Sequence, residues 1–99
     1  MDTIFALASA PGKAGIAVIR ISGSAAISVA EKITKSKLNE PIPRLRVIYD
    51  ADDNFIDQAL ILTFPAPNSF TGENVSELHL HGSNAVVSST IGLLNNIKG

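Results

Sequence analysis

A chain of 99 residues, 45% hydrophobic and 17% charged, is long enough for one domain with a real core. Its net charge of −1 argues against a nucleic-acid or acidic-membrane surface of its own, because such partners ask for a clustered basic face, and Lys32, Lys35, Lys37, Arg44 and Arg46 are scattered. The absence of cysteine excludes a disulfide framework and thiolate chemistry, and no long apolar run follows Asp2, so neither a signal peptide nor a membrane span is expected and the cytoplasm is the default compartment.

Thr3 to Ala8 is an apolar run that ends in the turn-prone Ser9-Ala10-Pro11-Gly12-Lys13. Ile16 to Ile21 is a second run, rich in β-branched residues and interrupted by Arg20; the two are predicted as neighbouring strands. Ser22-Gly23-Ser24 stops the strand and offers an N-cap to a helix over Ala25 to Ile33, where Ala26, Ile27, Val29, Ala30 and Ile33 recur at helical spacing. Pro41 and Pro43 mark a loop, Leu45 to Tyr49 a strand, and Asp52-Asp53-Asn54 a turn of residues that tolerate unusual backbone angles. In the returning strand, Ile56 to Phe64, the centre Ala59-Leu60-Ile61-Leu62 is apolar on both faces, which predicts cover on both. Pro65 to Gly72 is a loop with Phe70 as an apolar anchor. Val75 to His81 alternates, with Val75, Glu77, His79 and His81 on one face and Ser76, Leu78 and Leu80 on the other. Val87, Ile91, Leu94 and Ile97, flanked by Val86 and Leu93, form the stripe of a closing helix. The order β-β-α-β-β-β-α predicts an α+β domain, two helices packed on a mostly antiparallel sheet. The last helix runs straight to Lys98-Gly99, which is expected to be a fragment boundary.

Four features bear on chemistry. Gly12-Lys13-Ala14-Gly15 has the look of a phosphate loop, but a Walker A motif needs Gly where Leu7 stands and Ser or Thr where Ala14 stands, so a β-turn is the expectation. His79 and His81 lie two apart on one strand face, with Glu77 beside them, as metal ligands would; without a third ligand at a recognisable spacing they are expected to be structural. No Ser or Thr sits in a nucleophile motif. Arg20 stands in an apolar strand and Glu77 between Val75 and Leu78, and a charge there is costly unless paired or facing a cleft. Both readings stay open: an inter-strand salt bridge, or a polar cleft lined by one guanidinium and one carboxylate.

Two long segments resemble one family. Asp2-Thr3-Ile4-Phe5-Ala6-Leu7-Ala8-Ser9-Ala10-Pro11-Gly12-Lys13-Ala14-Gly15-Ile16-Ala17-Val18-Ile19-Arg20-Ile21-Ser22-Gly23 is similar to the opening of the bacterial tRNA-modification GTPases MnmE, also called TrmE. Phe64-Pro65-Ala66-Pro67-Asn68-Ser69-Phe70-Thr71-Gly72-Glu73-Asn74-Val75, continuing through Glu77 to His81-Gly82, resembles the second signature of that family. The chain departs from the family pattern at Ala10, Ala14, Asn74, Ser83 and Asn84, and Ser83 can still cap the last helix.

The resemblance implies that residues 1–99 are an N-terminal tetrahydrofolate-binding and dimerisation domain, truncated at its C-terminal side, with a fold similar to the folate-binding domain of aminomethyltransferases. Carried over by position, Arg20 and Glu77 are the folate contacts, the ligand being 5-formyl- or 5,10-methylene-tetrahydrofolate, and no residue is catalytic or metal-binding. The parent protein is implied to be a GTP hydrolase that uses GTP, Mg2+ and K+ bound outside this chain. With MnmG (GidA) it would modify C5 of the wobble uridine, U34, of certain tRNAs; the implied assembly is a homodimer that meets tRNA through the full complex and has no membrane partner. Two alternatives remain, a folate-dependent one-carbon transferase domain and a purely structural pairing domain.

Overall fold

The computed structural model describes residues 3–8, 15–38, 40–66 and 72–97. Among them five strands and two helices follow in the order β1 (Ile4–Leu7), β2 (Ile16–Ser22), α1 (Ala26–Thr34), β3 (Arg44–Tyr49), β4 (Phe55–Phe64), β5 (Val75–His81) and α2 (Asn84–Asn95). The strands form one sheet in the order β1-β2-β5-β4-β3, with every adjacent pair antiparallel. The expected α+β architecture and element order are therefore present. β5, late in sequence, inserts between β2 and β4, so the centre of the sheet joins residues far apart in the chain.

Both helices lie on one face. α1 packs over β3 and β5, and α2 over β4 and β5. That face carries Ile19 and Ile21 of β2, Ile48 of β3, Ala59 and Ile61 of β4, and Leu78 and Leu80 of β5, all buried against Ala26, Val29, Ala30 and Ile33 of α1 and Leu94 of α2. Alternation along a strand sends every second residue to the same side, so one register fixes the whole core. Ser76 is a polar member of this face, and its hydroxyl donates to the Ala26 carbonyl at 2.9 Å, tying β5 to the start of α1.

Three local expectations change. The Ser22-Gly23-Ser24 turn supplies no side-chain cap to α1, whose N-cap residue is Ala25. The acceptor comes from just before β1 instead: Thr3 Oγ1 accepts the Ala25 N–H at 2.9 Å. The stripe of α2 is centred on Thr90, which is fully buried, with Leu94; Val87, Ile91 and Ile97 are half-buried. Thr90 escapes a hydrophobic pattern because it is polar, yet its hydroxyl donates to the Val86 carbonyl at 2.9 Å and so enters the core satisfied. The two-sided cover predicted for β4 is found on one side only: Ala59 and Ile61 are buried under the helices, while Leu60 and Leu62, on the opposite face, are half-buried.

Other expectations hold. Ser83 caps α2, its side chain accepting the Val86 N–H at 3.2 Å. The β3–β4 turn does use unusual backbone angles, with Asp53 at φ 67°. It is organised by Asp50, whose carboxylate accepts the Asp52 and Asn54 N–H groups at 2.8 and 2.9 Å. The Asn54 bond, opposed by slight burial and helped by Asp52, holds Asp50 below its ordinary range. The turn Gly12-Lys13-Ala14 and the anchor Phe70 lie outside the described residues.

Candidate functional site on the open sheet face

The face of the sheet turned away from the helices carries the charges that the sequence singled out. Its residues are fixed by register: Arg20 pairs with Glu77, Val18 and Leu60 both pair with His79, and Leu62 pairs with Glu77. Phe64 and Ser22 flank Val75 on the same side. The polar group is thus set in the middle of the sheet among aliphatic neighbours, on the central strand β5 and its neighbour β2.

Arg20 and Glu77 meet directly. Arg20 Nε and Nη2 both donate to Glu77 Oε2, at 2.9 and 2.7 Å. His79 Nε2 lies 3.0 Å from Glu77 Oε1. A carboxylate accepts only, so the imidazole holds its proton on Nε2 at this contact. The Glu77 side chain is 10% exposed, whereas Arg20 is 40% and His79 26% exposed, so the carboxylate is the recessed member and its two partners reach outward. Burial pushes the Glu77 carboxyl up, but the hydrogen bonds from His79 and Arg20 and their charges outweigh it and hold the group below its ordinary 4.5. An ionised Glu77 is therefore the resting state at neutral pH.

This geometry answers to both readings of the pair. Arg20 and Glu77 do form an inter-strand salt bridge, and they do so on a face that no helix covers. The two bonds from Arg20 fall on one oxygen, so they leave acceptor capacity on the other; of roughly four lone-pair positions on a carboxylate, three are engaged.

The second histidine goes elsewhere. His81 Nδ1 lies 2.7 Å from Asp57 Oδ1 and the His81 backbone N–H donates to Asp57 Oδ2 at 2.9 Å. Asp57 is 6% exposed and clamps the end of β5 to β4, while the His81 ring stays mostly in solvent. The two histidines thus serve two different carboxylates. Among the described residues no three His, Cys, Asp or Glu side chains gather as a metal centre. Asp57 had gone unremarked in the sequence. A carboxylate inside Phe55-Ile56-Asp57-Gln58-Ala59-Leu60 carries the same signal as Arg20 and Glu77, a charge in an apolar strand, and could have been found by it.

With the site in place, the likeness to known proteins is informative. The family described as GTP-binding protein TrmE N-terminus matches residues 3–98. The chain belongs to the TrmE N-terminal family. It is 53% identical over 95 residues to the tRNA modification GTPase MnmE of Roseobacter denitrificans, a match covering 96% of this chain and 22% of that protein. To the protein of the same name from Dinoroseobacter shibae it is 46% identical over 99 residues, 100% of this chain and 23% of that one. To that of Agrobacterium fabrum it is 48% identical over 101 residues, covering 99% and 22%. This member of the TrmE N-terminal family thus spans about a fifth of the length of the curated relatives it matches. No described helix is long and apolar enough to cross a membrane.

Proposed function

We propose that this TrmE N-terminal domain binds a reduced folate on the open sheet face, pairs with a second copy of itself, and serves a parent GTPase. That protein would act with MnmG (GidA) on the wobble uridine of certain tRNAs, in the cytoplasm. The observation that carries the ligand site is the register of β2 and β5, which sets Arg20 directly opposite Glu77 in the middle of the face that the helices leave uncovered.

The residues present fit such a ligand. A pterin ring offers an N–H and an exocyclic amine side by side, and a carboxylate accepts the two as a fork. Glu77 is ionised, recessed and held in one orientation, so little ordering remains to be done on binding. Val18, Leu60 and Leu62 give the aliphatic surround that ring-shaped ligands usually meet. Arg20, 40% exposed, stands beside Glu77, where a carbonyl or the glutamate tail would meet a guanidinium. A bound 5-formyl- or 5,10-methylene-tetrahydrofolate would supply the one-carbon unit; the chain's own part is to bind and orient it. No residue of the chain is assigned a role in GTP, Mg2+ or K+ chemistry.

Pairing is supported by the unmet cover of β4. Leu60 and Leu62 come from a stretch patterned for burial on both faces, yet each is only half-buried in the single chain. Ile4, Ile16 and Leu45 extend the same face, 65%, 58% and 60% exposed. A second copy related by a two-fold axis is the commonest way such a surface is closed.

The salt bridge favours one competing reading, a structural pairing domain in which Arg20 and Glu77 only tie two strands. Glu77→Ala separates the two. As a ligand contact, its loss should weaken 5-formyltetrahydrofolate binding by on the order of a hundredfold in calorimetric titration, since a forked charged hydrogen bond is worth about 3 kcal/mol. The melt should move little, because Arg20 is exposed enough for water to replace its partner. Unchanged affinity with a lowered melting temperature would assign the pair to structure alone.

A further inference from the structure

We propose that a folate on the open face lies along β5, its pterin head at Glu77 and its benzoylglutamate tail at His81, with Asp57 positioning the His81 ring for that contact; this rests on the folate reading above. Asp57 is a buried carboxylate outside the Arg20–Glu77 pair. It is 6% exposed, and it spends one oxygen on the His81 backbone N–H and the other on His81 Nδ1, at 2.9 and 2.7 Å. A carboxylate accepts only, so the ring proton stands on Nδ1 and the neutral ring keeps its lone pair on Nε2. The His81 side chain is 73% exposed. Nε2 is thus offered at the surface as an acceptor on a ring whose orientation is held from below.

The open face sets the direction. Val75, Glu77, His79 and His81 follow one another along β5 on this face, and their exposure rises in that order. Val75 is fully buried beside Phe64, and the next three side chains are 10%, 26% and 73% exposed. The row is therefore closed at Val75 and open at His81, so a ligand whose head is seated on Glu77 has its way out past His79. The walls along that way are uncharged: Val18 and Ile16 stand opposite His79 and His81 on β2, and Leu60 opposite His79 on β4, with Gln58 beyond it. At the usual rise of a strand, Glu77 and His81 are about 14 Å apart, a span comparable to that from a pterin ring to the amide that follows its benzoyl group.

The chemistry matches along the row. The benzoyl ring is flat and apolar and meets aliphatic walls. The amide N–H beyond it is a donor, and His81 Nε2 is an acceptor at that distance along the strand. The glutamate carboxylates then project into solvent past the end of β5. Arg20, directly opposite Glu77 and away from this path, is left to a carbonyl of the head. A ligand without the tail should accordingly forgo the His81 contact and keep the contacts at Glu77.

Calorimetric titration of the chain at pH 8 with 5-formyltetrahydrofolate, and with 5-formyl-6-methyltetrahydropterin as the same head without the tail, tests this. His81→Phe keeps a flat ring and the backbone N–H that Asp57 holds, and it removes the acceptor. It should bind the full folate about fivefold more weakly than the wild type, the worth of one neutral hydrogen bond, and the headgroup equally well. His81→Gln, whose side-chain carbonyl restores an acceptor, should stay within about twofold of the wild type for the full folate. Asp57→Asn offers Nδ1 a donor and so moves the ring proton to Nε2; it should repeat the loss for the full folate and spare the headgroup, which a merely structural role would not do. Overhauser contacts give a second readout: the benzoyl protons should meet the His81 ring. Equal binding of the full folate by the wild type and His81→Phe, the same loss for both ligands, or benzoyl contacts to Phe64 in place of His81 would overturn this orientation alone. No binding of the full folate by the wild type would overturn the folate reading itself.

Discussion

Gly23 shows how little room a single residue can leave. Its φ is 138°, and a Cβ there would stand 2.6 Å from Thr3 Cα, which is backbone and cannot swing aside. The close approach is what lets Thr3 reach the start of α1. Gly23→Ala combines a conformation that L residues avoid with a backbone clash, so a loss of at least ~2 kcal/mol in urea unfolding is expected. Glu77 carries the other residue-scale expectation. Its folded value is depressed, so the stability it adds is present above its unfolded value and lost as pH falls through the lowered folded one. Stability measured from pH 6 down to pH 3 should therefore fall less in Glu77→Gln than in the wild type. An equal fall in both would show that Glu77 is not held below its ordinary range.

The two helices begin by different means. α2 carries its own cap, Ser83, so its start is encoded within one turn of sequence. α1 borrows an acceptor from a residue 22 positions earlier, Thr3 just before β1. Thr3→Val keeps the shape and removes the oxygen, leaving the Ala25 N–H without that partner. A loss of about 1 kcal/mol is expected in thermal or urea unfolding, the usual worth of a helix cap. Hydrogen exchange should show faster opening in the first turn of α1 and no change in α2. Because the acceptor adjoins β1, the substitution should also loosen the β1–β2 pairing, whereas Ser83→Ala should act on α2 alone.

At the scale of the molecule, the described residues form a two-layer sandwich in which both helices lie on one side of the sheet and no described helix covers the other. Ile16 and Leu45 lie on that side toward opposite ends of the strand order and are more than half exposed. Replacing either by Glu removes apolar surface from the proposed pairing face without touching the helix-side core. Sedimentation should show the wild type as a two-fold dimer at micromolar concentration and the Glu variants shifted toward monomer, with melting of the dilute monomer unchanged. A wild type that stays monomeric up to millimolar concentration would refute pairing through this chain.

The amino-acid sequence by itself determined the elements and their faces. β5 was legible residue for residue because its alternation is strict, and the salient charges Arg20 and Glu77 were legible because each interrupts an apolar strand. The Ser83 cap and the Asp52-Asp53-Asn54 turn were legible because their chemistry is local. Tertiary structure alone decided that β5 inserts between β2 and β4, which is why Arg20 meets a carboxylate 57 positions away. It also decided that His79 shares that carboxylate while His81 clamps to Asp57, that Thr3 completes α1, and that Leu60 and Leu62 remain half-covered. The Arg20, Asp57 and Thr3 contacts join segments distant in the chain, whereas His79 and Glu77 are two apart on one strand. Periodicity reports which way a side chain points, but only the closing of the sheet settles what it finds there.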